Sequence, residues 1–87
     1  MTDFEERPHD RHTRLAGEFV QKIVREEMKS GGDYASILVI LESIMLGVML
    51  VNHNLFGMSP RKSAMLVEAA GEKALERFLG LEKEGKL

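Results

Sequence analysis

The chain has no cysteine and no tryptophan, and only two prolines, one tyrosine and four phenylalanines among its 87 residues. Without cysteine there is no disulfide and no thiolate metal site. Those are the usual staples of a chain this short, which buries a limited share of its surface and is marginal alone. The net charge of −2 excludes a generally basic nucleic-acid binder. The first residues are acidic and polar (Asp3, Glu5, Glu6), not basic and then apolar, so no secretory signal is expected and the cytoplasm is the expected setting. No nucleophile–base set, glycine-rich phosphate loop or thiolate cluster is present. The expectation is therefore a protein that is not an enzyme and carries no cofactor.

Charge is also missing from one long segment. Residues 34–58 contain no Lys or Arg, and Glu42 is their one acid. Fourteen of the eighteen residues from Tyr34 to Val51 are apolar, the exceptions being Ser36, Glu42, Ser43 and Gly47. The run is too long for a typical strand and has no period of two, so it reads as a helix.

Two more helices flank it, which gives an all-α chain. Residues 1–10 read as a flexible tail, with Asp10 or Thr13 available to cap the first helix. That helix is expected over 11–29, with Leu15, Phe19, Val20, Ile23, Val24 and Met28 on one face and Arg14, Glu18, Lys22 and Arg25 opposite. Ser30-Gly31-Gly32-Asp33 ends it, and Asp33 can cap the second helix, expected over 34–52. Ser59-Pro60 opens a third, expected over 60–80. Its apolar face carries Ala64, Val67, Ala70, Gly71, Ala74, Leu75, Phe78 and Leu81, while Met65 and Leu79 stray to the polar side. Gly80 or Gly85 can close it, and residues 82–87 are expected to fray.

A helix that is apolar nearly all round is buried on all sides or spans a membrane. In a three-helix, up-down-up monomer two neighbours leave part of the central helix bare. That strip, about 30 Å long, is too large a patch for a monomer. Covering several hundred Å² gains on the order of 10 kcal/mol before the cost of association. A symmetric helical-bundle homodimer is the simplest cover, two-fold pairs being the commonest closed form. A spanning helix is disfavoured by Glu42 near the middle and by weak Lys/Arg asymmetry at the flanks.

Several candidate positions stand out on this basis. The dimer interface is expected to draw on Ser43, Met45, Gly47, Met49 and His53. Ser43 and Gly47 form a small-xxx-small pair that permits close backbone approach. The small stripes of helices 2 and 3 can pack on each other within one chain, leaving Met45 and Met49 for the dimer, or the stripe can itself be the crossing, or the small residues merely fit the local core. Glu42 and His53 share a face, and in an antiparallel pair Glu42 of one chain can meet His53 of the other. Glu42 is also a candidate buried acid with a raised pKa, or a solvated edge residue paired with a base. His9 and His12 are three residues apart and can share a metal on a helix, or lie in a plain polar tail. Arg61 and Lys62 stand in the first turn of the third helix, where an anion can bind.

The function expected is a small homodimeric protein-interaction or regulatory module, with an apolar groove near Met65 and Leu79 open to a partner. A small-ligand or anion-binding domain is the alternative, and a DNA-binding helical protein a further one. Against the last, the link from 52 to 59 is long for a helix-turn-helix, and Glu68, Glu72 and Glu76 would repel phosphates.

Overall fold

A computed structural model describes residues 6–87, so residues 1–5 of the expected tail lie outside it. The described residues form three helices and no strand: α1 (Pro8–Lys29), α2 (Tyr34–Asn54) and α3 (Pro60–Lys83). They divide into two compact units, with the boundary inside α2 between Ile40 and Leu41.

In the first unit α1 begins at Pro8, three residues ahead of the expected start. Neither Asp10 nor Thr13 caps it: Asp10 lies in the first turn, and the Thr13 hydroxyl donates back to the His9 carbonyl at 3.0 Å. The N-cap position is Arg7, which makes no side-chain cap bond. Proline at the first helical position costs no hydrogen bond and presets the backbone angle. Just outside the helix, Glu6 is gripped by the Arg14 guanidinium, with Nε 2.9 Å from Oε2 and Nη2 2.8 Å from Oε1. This fork holds the Glu6 carboxyl below its ordinary value of 4.5, first through the hydrogen bond and then through the charges of Arg14 and Arg11.

At the other end of α1, the Gly32 N–H donates to the Glu27 carbonyl at 2.8 Å and the Gly31 N–H to Met28 at 3.2 Å. This is the paired closure of a Schellman motif, which needs a left-handed residue. Gly31 supplies it with φ of 84°. Asp33 then caps α2. Its Oδ1 accepts from the Ser36 N–H at 3.1 Å, while the Ser36 hydroxyl accepts from the Asp33 N–H at 2.9 Å. Ser36, a polar exception in the apolar run, thus completes a reciprocal cap.

In the second unit the rest of α2 and α3 are joined by Leu55–Ser59 into a helical hairpin. Gly57, with φ of 69°, turns the chain. The Met58 N–H returns to the Asn52 carbonyl at 3.1 Å, and the Met58 carbonyl accepts from His53 Nδ1 at 2.7 Å. A carbonyl can only accept, so Nδ1 carries the proton. Ser59 caps α3 through the Lys62 N–H at 3.1 Å, as expected from Ser-Pro. Gly80 remains helical, and α3 runs on to Lys83 before Gly85 closes it.

No apolar residue among those described is buried; Ser63, at 2% exposure, is the one buried residue.

Candidate interaction surface

α2 and α3 each carry a stripe with alternating steps of three and four residues. On α2 it runs Leu38, Leu41, Met45, Val48, Asn52. On α3 it runs Ala64, Val67, Gly71, Ala74, Phe78, Leu81. Steps of three and four repeat every seven residues, the spacing at which helices interlock side chains along a shared seam.

In the second unit these stripes face a common groove of about 530 Å³. α2 contributes Leu41, Ile44, Met45, Val48 and Asn52; α3 contributes Leu66, Val67, Ala70, Gly71 and Ala74. None of the ten is charged, and Asn52 is the one polar side chain. The two walls differ in relief. α2 presents Leu41, Ile44, Met45 and Val48, and α3 presents Leu66 and Val67 beside a stretch of small residues at Ala70, Gly71 and Ala74. A Cβ built on Gly71 would have nothing within 4 Å beyond its own helix. The protomer's own α2 therefore leaves that stretch open at Gly71.

Packing of the two small stripes on each other, one of the alternatives for them, is not found. Gly47 also has nothing within 4 Å of a Cβ. Ser43 and Gly47 lie roughly 200–240° around α2 from Leu41, nearly opposite the groove. Of the positions expected at a dimer interface, Met45 alone lines the groove. Met45 also borders a second, smaller depression of about 320 Å³ with Glu42, Ser43, Leu46 and Met49. His53 is exposed and tied to the loop by its bond to Met58.

Glu42 is exposed, so the burial considered for it is not found in the protomer. Within the second unit, Glu42 lies about 100° around α2 from Leu41, off the side that α3 lines. Two polar residues, Glu42 and Ser43, border the depression there, and no base or nucleophile joins them among its lining residues. Comparison with family models, curated proteins and solved structures finds no match. The reading of the surface thus rests on its residues.

The remaining candidates stay apart from the groove. His9 and His12 are exposed on α1, and no cluster of three or more metal-ligating side chains occurs among the described residues. Arg61 and Lys62 are exposed in the first turn of α3, where the Lys62 N–H is already taken by Ser59. Arg14, one of the cations a nucleic-acid surface would need, is engaged by Glu6 and Glu18. Met65 and Leu79 are exposed, at 57% and 50%.

What sequence reasoning missed is the groove-facing seam. The signal was present in α3, where the step pattern is bounded by charges. In α2 it is masked because nearly every other position is apolar too.

Proposed function

We propose that this chain is a small homodimeric helical module, an up-down-up unit paired by a two-fold axis, which works through contacts with proteins and not through catalysis. The observation that carries the reading is the absence of a buried apolar side chain among the described residues, while Leu41, Val48 and Leu66 stand 47%, 46% and 44% exposed along one groove. The ligand-binding and DNA-binding alternatives gain no comparable support: Glu42 has no converging polar set, and Arg14 is not a free cation.

One observation favours a second reading. α2 is long and apolar enough to cross a membrane by length and composition. Sizing-column light scattering separates the two. A dimeric module gives twice 9.8 kDa in plain buffer across a range of concentrations. A spanning helix gives aggregate in buffer and a discrete particle only in detergent. A stable 9.8 kDa monomer at micromolar concentration would overturn both.

A further inference from the structure

We draw no further inference here: the strongest candidate, the uncharged groove between α2 and α3 lined by Leu41, Met45 and Val48 on one wall and by Val67, Gly71 and Ala74 on the other, carries nothing because nothing in the structure shows what covers it.

Discussion

α2 and α3 line the same groove yet carry it in opposite ways. α3 marks its inner side by contrast: Glu68, Glu72, Lys73, Glu76 and Arg77 lie off the stripe of Val67, Gly71, Ala74 and Phe78. α2 has almost no contrast, since its only polar residues before Asn52 are Ser36, Glu42 and Ser43. From α3 alone one learns which side faces inward. From α2 alone one learns that the helix needs cover nearly everywhere, and nothing about where cover comes first. The direction of α2 becomes readable only when its spacing is laid against that of its neighbour. Average apolarity measures how much surface must be buried; periodicity shared between neighbours locates the burial.

The sharpest way to break this comparison uses two α2 positions that look alike in the protomer. Val48 is 46% exposed and Leu50 is 50% exposed. Val48 lines the groove, and Leu50 lies about half a turn away on the other side. Composition treats the two alike, whereas the seam does not. Val48→Lys would place an unpaired charge in the uncharged groove, which costs on the order of 3 kcal/mol or more where pairing buries it. The expected result is a dimer that dissociates at micromolar concentration. Leu50→Lys is expected to change the dissociation constant by less than about threefold, in line with surface substitutions worth roughly 0.5 kcal/mol. Equal losses from both lysines would mean that α2 is covered all round, and the contrast between its sides would fail.

A smaller effect concerns the ends of the helices. Asp33 caps α2 through the Ser36 N–H at 3.1 Å, and Ser59 caps α3 through the Lys62 N–H at 3.1 Å. Replacing either cap by alanine should cost about 1 kcal/mol of stability. The Asp33 loss should be the smaller of the two. The Ser36 hydroxyl accepts from the backbone N–H of residue 33, which alanine keeps, so Asp33→Ala removes one bond of the reciprocal pair and leaves the other. A chemical melt of Asp33→Ala and Asp33→Ser, read by circular dichroism, checks the cap. Serine should recover most of the loss, and equal destabilisation by both would show that the cap is not what stabilises α2.

The helices were legible in the sequence because their stops are chemically explicit: Ser30-Gly31-Gly32-Asp33 and Ser59-Pro60 each end or open a helix by a known bond. The boundaries that moved did so for physical reasons. α3 passes through Gly80 because a glycine ends a helix only where it turns left-handed, and that occurs at Gly85, with φ of 74°. α1 starts at Pro8 because proline is tolerated at the first helical position, and the nearby Glu6–Arg14 fork is hidden in the sequence because it spans eight residues, outside the three- and four-residue spacings that mark helical pairs. The groove was half legible. Gly71 and Ala74 were visible as a small stripe on the inner face of α3. Their partner wall was not, because in α2 the step pattern of Leu41, Met45, Val48 and Asn52 is submerged in apolar neighbours. The Ser43–Gly47 pair drew attention because small residues are rare in that run, yet rarity does not fix direction.

The smallest expected effect concerns α1, whose start depends on charge and not on apolar cover. The Arg14 fork holds the Glu6 carboxyl below 4.5, so ionised Glu6 favours the structured start of the helix. With the folded value depressed, the contribution is fully present above the unfolded value and is lost as pH falls through the folded one. The pair is solvent-accessible, so the effect is local and sensitive to salt. Amide exchange of residues 11–14, followed by nuclear magnetic resonance from neutral pH down to about 3, should show protection falling on the acid side of the ordinary glutamate value of 4.5. Glu6→Gln should start from the lower protection and lose the pH response, while amides of α3 keep theirs. An unaltered pH profile in Glu6→Gln would show that Pro8 alone sets the start of α1. The charge-defined end of the chain would then follow the same backbone logic as the rest.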